Sequence, residues 1–343
     1  MTVSRRAETL LVGLTLLVGL IVVGGTTPVP FVAIGRGPTF DTLGQVKGTE
    51  VVAIRDLPTY PTSGHLNMTT VSVTDRLTTV DTLWRWVLSD YRIIPRDSVF
   101  PPGVSDEEVA ERNQRQFADS QANAEGAALG YLGLPTTIVV EELTKDDSPS
   151  AGILEAKDVL IEVAGHRLTT YRDLPETLAD TRPGQQIPVR FRRGDSAPQH
   201  AVVTLGARSD GPQGALGLIP AARPAVDDEV VISLGDIGGP SAGLMFALAV
   251  VDKLTPGELT GGRFVAGTGT IGSTGAVGPI DGIPFKMLAA FDAGATTFLV
   301  PAENCAEAAA TAPDGLQLVK VADLPGAVAS LDTLRAGEVP IGC

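Results

Sequence analysis

A glycine-rich bend between a short strand and an apolar helix is the feature that most limits how this chain can fold. The stretch runs from Glu229 to Lys253 and reads EVVISLGDIGGPSAGLMFALAVVDK. Val230 to Leu234 has the β-branched composition of a strand. Ser241 to Val251 is almost wholly apolar, which is typical of a helix buried on all sides. The hydroxyl of Ser241 therefore stands alone where a strand passes into the N-terminus of a buried helix.

The local pattern leaves two interpretations of Ser241 open. Serine is a common N-cap, and N-caps far outnumber catalytic serines. The glycines around it also let backbone approach closely. The free N–H groups at such a helix start can stabilise an oxyanion, and the donors that we assign are the backbone groups of Gly239, Ser241 and Ala242. That is a setting for a nucleophile.

A histidine base does not fit the order of residues along the chain. Gly239 to Gly243 spells G-x-S-x-G, the nucleophile elbow of α/β-hydrolases, but that fold places its histidine after the serine. The histidines here, His65, His166 and His200, all precede Ser241. A His–Asp–Ser order remains formally open with His65 or His166, although neither has a suggestive context. The remaining base that works near neutral pH is a lysine with a lowered pKa.

One of the lysines that follow Ser241 has the surroundings of a base. Lys253 lies on the serine's own helix, about 18 Å away at 1.5 Å per residue. Lys320 occupies a predicted edge strand, where it points to solvent. Lys286 follows Pro284, which suits a first helical turn. The helix dipole and apolar neighbours both disfavour its charged form and lower its pKa. Lys286 is therefore the candidate base.

The segments around these residues resemble the proteolytic domain of Lon proteases, a family with a Ser–Lys dyad. The resemblance covers about residues 215–331 and rests on P-S-A-G around the serine, T-G-T-I, G-x-V-x-P-I, K-x-x-A-A after the lysine, and A-G-x-x-x-F-L-V-P-x-x-N. It implies that Ser241 is the nucleophile and Lys286 the base. It also implies that Thr268 supplies the hydroxyl that helps to hold the lysine.

Two features separate the chain from typical Lon proteases. Those proteases usually carry Lys-Asp-Gly before Pro-Ser, whereas this chain has Ile237-Gly238-Gly239 and its nearest acid is Asp236. The chain also lacks G-x-x-x-x-G-K-[ST], the phosphate-binding loop of an ATPase. We therefore expect no ATP, no other cofactor and no metal. Without an unfoldase, the protein should cut flexible segments, tails or partly unfolded proteins.

The N-terminus predicts a membrane anchor. Arg5 and Arg6 precede an uncharged run, residues 9–27, that is long enough to cross a bilayer. The basic side should stay in the cytoplasm, which makes residues 1–8 cytoplasmic and leaves the body outside the cytoplasm in a single-pass arrangement at the cell membrane. A cleaved signal peptide is the alternative. The net charge of −14, with no basic stripe, argues against nucleic acid as a partner.

The next parts of the chain predict a β-rich segment and a connector helix. Residues 28–103 contain short strands, and we assign them to the Lon-like domain, with GHLNMTTV as an opening strand. Thr78 to Leu88 predicts a helix whose Trp84 packs into a core, with anchoring at a membrane interface as the alternative. Residues 104–131 predict a solvated connector helix that begins with a capping box, S-D-E-E.

Residues 132–208 resemble a PDZ domain. The resemblance rests on S-P-S-A-G-x-L-x-x-x-D-V-L-I-x-V-x-G, followed by a helix and a strand pair. PDZ domains bind extended C-terminal peptides by adding a strand to a sheet edge. The resemblance therefore implies protein or peptide partners and a carboxylate-binding loop at Tyr131, Leu132, Gly133 and Leu134. A small structural β-domain is the alternative, and the Lon-like proteolytic domain takes residues 209–343.

The two cysteines, Cys305 and Cys343, are an even pair, which outside the cytoplasm suggests one disulfide; two unpaired thiols are the alternative. The expected fold is α+β: a Lon-type proteolytic domain, a PDZ domain built as a β-sandwich with helices, and one N-terminal transmembrane helix. The expected function is an ATP-independent, membrane-anchored, extracytoplasmic serine endopeptidase, with a homo-oligomer compatible with the resemblance. The rivals are a PDZ-based membrane adaptor and a protein that processes only itself.

Overall fold

The computed structural model describes residues 5–55, 57–87, 91–145, 148–208, 211–224, 230–234 and 237–343. Its helices are α1 (Arg5–Thr26), α2 (Thr79–Val87), α3 (Asp106–Tyr131), α4 (Asp173–Leu178), α5 (Gly243–Leu254), α6 (Ile283–Asp292), α7 (Cys305–Thr311) and α8 (Leu324–Arg335). Its strands are β1 (Phe31–Asp41), β2 (Gln45–Val46), β3 (Thr49–Glu50), β4 (Val52–Ile54), β5 (His65–Thr74), β6 (Arg92–Pro95), β7 (Thr136–Leu143), β8 (Val159–Val163), β9 (His166–Arg167), β10 (Gln186–Arg192), β11 (Gln199–Thr204), β12 (Gly206–Ala207), β13 (Gly214–Ala215), β14 (Leu218–Pro224), β15 (Val230–Ile232), β16 (Phe264–Gly267), β17 (Thr270–Ile271), β18 (Val277–Gly278), β19 (Thr297–Pro301) and β20 (Gln317–Val321). Asp236 lies outside the described residues.

The chain forms two compact units. Unit 1 comprises residues 1–38 and 70–112, and unit 2 comprises residues 39–69 and 113–343. In unit 1, β1 pairs with β6 in antiparallel register from Phe31 opposite Pro95 to Ile34 opposite Arg92. Unit 1 also holds α1 and α2, so the apolar N-terminal segment belongs to the smaller unit.

Helix α1 has the composition of a membrane span. Within it, Thr9–Thr26 has a mean hydropathy of 2.2, and none of this stretch is buried against the rest of the protein. By length and composition it is able to cross a bilayer, and a signal sequence passes the same test. Among the described residues, this stretch does not have the burial that a core helix shows.

Unit 2 is built on a parallel sheet with helices on both faces. Its strands lie in the order β20-β19-β16-β5, and each neighbouring pair is parallel. Side chains alternate between the faces with the period of a strand. Val265 and Leu299 pack with α5 and α8 on one face, while Ala266 and Phe298 pack with α6 and α7 on the other. The segment predicted as an opening strand forms β5, which pairs with β16 from His65 opposite Phe264.

The PDZ-like part of unit 2 is an antiparallel sheet with its own core. Its strand order is β11-β10-β8-β7-β14, with β9 added to β8. The terminal strand, β14, pairs with β7 from Leu218 opposite Leu143 to Pro224 opposite Thr136. The boundary predicted at residues 208–209 thus falls before two strands, β13 and β14, of which the second completes this sheet.

The connector helix is less solvated than its sequence predicts. Its start follows the prediction, because Ser105 and Glu108 form the reciprocal bonds of a capping box. The prediction of a solvated helix is wrong for its C-terminal half, where Ala124, Ala128 and Leu129 are fully buried. The polar residues that suggested a solvated helix are concentrated in the earlier turns of α3, whereas its small residues allow close packing.

Cys305 and Cys343 form a disulfide. The bond ties the last residue of the chain to the start of α7. The N–H of Lys320 also donates to the carbonyl of Ile341, at 2.9 Å, so the tail is held against the edge strand β20.

Candidate active site

Ser241 lies in a turn immediately before α5. The helix begins at Gly243, and the N-cap position is occupied by Ala242, without a side-chain capping bond. The N-cap interpretation of Ser241 is therefore wrong, and its hydroxyl is available for other contacts. Residues 243–252 are all buried, so the helix that follows the serine is fixed on every side.

The side chain of Lys286 reaches Ser241 from the first turns of α6. Gly282, with a φ of 74°, begins this helix in the left-handed conformation that glycine adopts at low cost, and Pro284 follows in the first turn. The lysine is 3% exposed. Its Nζ donates to Ser241 Oγ at 2.7 Å and to Thr268 Oγ1 at 3.0 Å.

Thr268 connects the lysine to the backbone of the serine. The residue directly follows β16 and is fully buried. Its Oγ1 accepts from Lys286 Nζ and donates to the carbonyl of Ser241 at 3.0 Å. The N–H of Gly269 donates to the same carbonyl at 2.9 Å. The end of the strand therefore holds both the amine of Lys286 and the main chain of Ser241.

Burial lowers the pKa of Lys286 into the range that a general base requires. Desolvation of the ammonium group lowers the pKa of Lys286 from 10.5 to about 7, while the nearby carboxylate of Asp281 acts in the opposite direction. Near neutral pH, a large fraction of the amine is then unprotonated, and its lone pair can accept the proton of the Ser241 hydroxyl.

The competing bases have other partners or positions. Lys253 Nζ donates to the carbonyl of Val52 at 2.5 Å and to Glu50 at 3.2 Å. Lys320 is exposed on β20, an edge strand of the sheet, as predicted. His65 Nδ1 lies 2.7 Å from Asp41 Oδ2, on the surface. Lys286 is the base within reach of Ser241.

The predicted oxyanion donors are not equivalent. Gly239 has a φ of 94°, and its N–H already donates to the carbonyl of Asn113 at 3.0 Å. The N–H groups of Ser241 and Ala242 have no hydrogen-bond partner in the described part of the chain. Gly239 is therefore a structural donor in this conformation, and the other two groups are the ones free to bind an oxyanion.

Helix α3 supports the segment before Ser241 through contacts that the sequence did not reveal. Ser120 Oγ donates to the carbonyl of Pro240 at 3.0 Å, and Gln121 Nε2 donates to the carbonyl of Ile232 at 2.7 Å. Phe117 packs edge-on against Phe246 of α5, with ring centroids 5.7 Å apart. These contacts join residues more than a hundred positions apart, so no short-range motif signals them.

Comparison with known families identifies this part of the chain. Residues 235–324 match the profile of the Lon protease (S16) C-terminal proteolytic domain. The chain carries a Lon-type proteolytic domain. The match contains Ser241, Thr268 and Lys286, the three residues that the hydrogen bonds bring together, and it supports a serine peptidase.

The similar curated proteins share a short part of this domain. Lon protease 2 of Herpetosiphon aurantiacus is 47% identical over 66 residues, which are 19% of this chain and 8% of that protein. The Lon protease of Heliobacterium modesticaldum is 48% identical over 66 residues, with the same coverage. The chain thus spans less than a tenth of the length of the curated Lon proteases that it matches.

Solved PDZ domains match about a quarter of the chain. The PDZ domain of an SdrC-like protein from Listeria monocytogenes is 24% identical, covering 24% of this chain and 85% of that structure, with a TM-score of 0.22. The corresponding domain from Listeria innocua is 22% identical, covering 24% of this chain and 92% of that structure, with a TM-score of 0.23.

The predicted carboxylate-binding loop has its donors engaged. The N–H groups of Leu132, Gly133 and Leu134 donate to carbonyls of α3, because this segment continues the end of that helix after Tyr131. They are not free to bind a peptide carboxylate, so the geometry opposes this prediction. A second L-G-L sequence, Leu216–Leu218, leads into the terminal strand β14, which begins at Leu218, and was not singled out from the sequence.

The described residues hold no group of three or more His, Cys, Asp or Glu side chains arranged to bind a metal ion. The groups that meet in the candidate site are the Ser241 hydroxyl, the Lys286 amine and the Thr268 hydroxyl.

Proposed function

We propose that this protein is a serine endopeptidase in which Ser241 and Lys286 form a catalytic dyad. The observation that carries the proposal is the 2.7 Å hydrogen bond from Lys286 Nζ to Ser241 Oγ, made by a buried amine whose pKa is lowered to about 7. A structural lysine gains nothing from such burial, whereas a general base requires it.

In the proposed reaction, the neutral amine of Lys286 takes the proton of Ser241 as Oγ attacks the carbonyl carbon of a peptide bond. The N–H groups of Ser241 and Ala242 bind the oxyanion. Lys286 then gives its proton to the leaving amine, and an acyl-enzyme ester remains. Water, deprotonated by the same amine, hydrolyses the ester and releases the serine. Thr268 keeps the amine directed at the serine throughout.

We also propose that the enzyme is anchored in the cell membrane by α1, with its body outside the cytoplasm. The hydropathy of Thr9–Thr26 and the basic residues before it support this arrangement. The absence of an ATP-binding motif from the sequence fits a compartment where ATP is scarce. Its substrates are then flexible segments or partly unfolded proteins.

Peptide recognition is assigned in this proposal to the first residues of β14, around Ile219, because Ala221 and Ala222 further along the strand are fully buried. This strand is terminal in its sheet, and Ile219 on it is 40% exposed. The L-G-L sequence before it, with Gly217 at a φ of 71°, occupies the place where a peptide carboxylate would end. Peptides with a free C-terminal carboxylate should bind, and amidated copies should not.

The test is proteolysis of unfolded casein by the full chain in detergent, without ATP, beside Ser241→Ala and Lys286→Arg. Cleavage by the native chain and by neither variant supports the dyad. Arginine keeps the charge but cannot act as a base near neutrality, so cleavage by Lys286→Arg would refute it. Self-cleavage without cleavage of casein would select the self-processing alternative, and binding of peptides without any cleavage would select the adaptor.

A further inference from the structure

Helix α2 presents an apolar face to its surroundings. Val80, Leu83, Trp84 and Val87 follow the i, i+3, i+4, i+7 spacing of one helix face. Their exposed fractions run from 43% for Val80 to 66% for Val87. None of the residues of this helix is buried. The prediction that Trp84 packs into a core is wrong, because its indole is 65% exposed.

The side of α2 that faces the protein is polar. Thr82 and Arg85 are the half-buried residues of the helix. The Thr82 hydroxyl donates to the carbonyl of Thr78 at 2.8 Å, and the Arg85 guanidinium lies 4.5 Å from the centre of the Tyr91 ring. A surface helix in water has the opposite arrangement, with apolar residues inward. The orientation of α2 is favourable only if an apolar phase covers its outer face.

The start of α2 contacts the end of the candidate membrane span. Pro28 forms a bridge with Thr78, and the N–H of Val29 donates to the carbonyl of Leu77 at 2.9 Å. A Cβ placed on Gly24 would lie 3.4 Å from Val80 Cγ2. The apolar face of α2 is therefore continuous with the last turn of α1.

We infer that α2 is an interfacial helix, which inserts its outer face into the lipid at the surface where α1 leaves the membrane. The inference rests on the proposed anchoring by α1. Tryptophan favours this depth, because the indole ring is apolar and its N–H remains near water. The described part of α2 carries one acid, Asp81, and one base, Arg85. Insertion is then driven by the burial of apolar surface, and zwitterionic lipid is sufficient for binding.

The sequence supplies a direct probe for this contact. The chain contains two tryptophans, and both, Trp84 and Trp86, lie on α2. We would reconstitute the full chain in nanodiscs of phosphatidylcholine, with and without brominated acyl chains that quench indole fluorescence on contact. We expect emission at short wavelength and a loss of roughly half of it in the brominated discs.

Two single-tryptophan variants and a matched pair of surface changes sharpen the test. Trp86 lies about a third of a turn from the centre of the apolar face. Trp86→Phe, which leaves Trp84, should therefore be quenched more strongly than Trp84→Phe. Leu83→Asn should reduce quenching, whereas Val202→Asn, at the same 57% exposure in the PDZ-like sheet, should not.

The outcomes separate this inference from the anchor. Unquenched, long-wavelength emission from a chain that co-elutes with the discs would overturn the interfacial helix and leave the anchor intact. Cross-linking of two copies through α2 in those discs would assign the face to a second chain instead. If the chain does not enter discs, the anchor fails. In that case, brominated vesicles are added to the same chain. Quenching then supports the interfacial helix, and unquenched emission overturns it.

Discussion

The amine of Lys286 lies 2.7 Å from the hydroxyl oxygen of Ser241, although Lys286 is a buried residue of α6 and Ser241 lies in the turn before α5. The hydrogen bond exists because α6 begins close to the turn before α5, and because Thr268 occupies the remaining space beside the amine. The lowered pKa of this amine has consequences for activity and for stability.

Activity should follow the loss of a proton from Lys286. Because the pKa of the buried amine is about 7, kcat/KM should rise with pH through about 7 and level off above it. A pH series with a fluorogenic peptide, with Ser241→Ala as the blank, checks this. A profile that is flat from pH 6 to pH 9 would contradict a lysine base.

Stability should depend on Lys286 between about pH 7 and pH 10.5. In the unfolded chain the lysine keeps an ordinary pKa near 10.5, so between pH 7 and that value the unfolded state binds a proton that the native state does not. Native stability therefore rises with pH across this window. Lys286→Met should be more stable by a few kcal/mol at pH 7 and below, and the difference should shrink towards pH 10. Urea denaturation at several pH values measures it, and a pH-independent difference would count against the lowered pKa.

Removing the hydroxyl of Thr268 should impair catalysis without changing the shape of the core. Thr268→Val leaves the Lys286 amine with one partner fewer and frees the carbonyl of Ser241 from one donor. We expect kcat/KM to fall by about 10- to 100-fold. Thr268→Ser retains the hydroxyl and is the matched control. Equal activity of the valine and serine variants would show that the hydroxyl has no role.

Ser120 should act as a positioning residue for the segment before Ser241. Its hydroxyl donates to Pro240, the residue before Ser241, and the loss of one such bond costs about 1 kcal/mol. Ser120→Ala should therefore lower kcat about fivefold with KM unchanged. Ser330→Ala removes a comparable bond, to Gly326 on the exposed part of α8, and should have no effect. A change in KM alone would argue for a different role.

Asp252 should make the fold less stable above pH 6. One carboxylate oxygen accepts from the N–H of Leu259, but the other is buried and has no partner among the residues that the structure describes. Desolvation raises the pKa of Asp252 to about 6, against 3.8 in the unfolded chain. The stability that its protonated form contributes is full below pH 3.8 and is lost as the pH rises through 6. Asp252→Asn should raise the free energy of unfolding, relative to the unchanged chain, by on the order of 2 kcal/mol more at pH 8 than at pH 4. Thermal unfolding at the two values tests this.

The sequence predicted that Ser241 and Lys286 lie together because its signals are local. A lone hydroxyl before an apolar helix and a lysine in the first turns of another helix are both visible in short windows, and the resemblance to Lon proteases joined them. The engagement of Gly239 by Asn113 depends on how α3 crosses the segment before Ser241, which no window contains. The sequence also did not show that Trp84 is exposed, since the helical spacing of apolar residues is the same whether lipid or protein covers them.

The parallel sheet of the Lon-type domain, β20-β19-β16-β5, can form only late in synthesis of the chain. Thr69 of β5 donates to the carbonyl of Gly267 at the end of β16, across 198 positions of sequence. Lys286 and β19 come later still. During synthesis, the 198 positions that separate these two residues must be made before β16 can pair with β5. We expect a nascent chain to carry Ser241 without Lys286 until position 286 has been made, so the proposed dyad cannot form before that point.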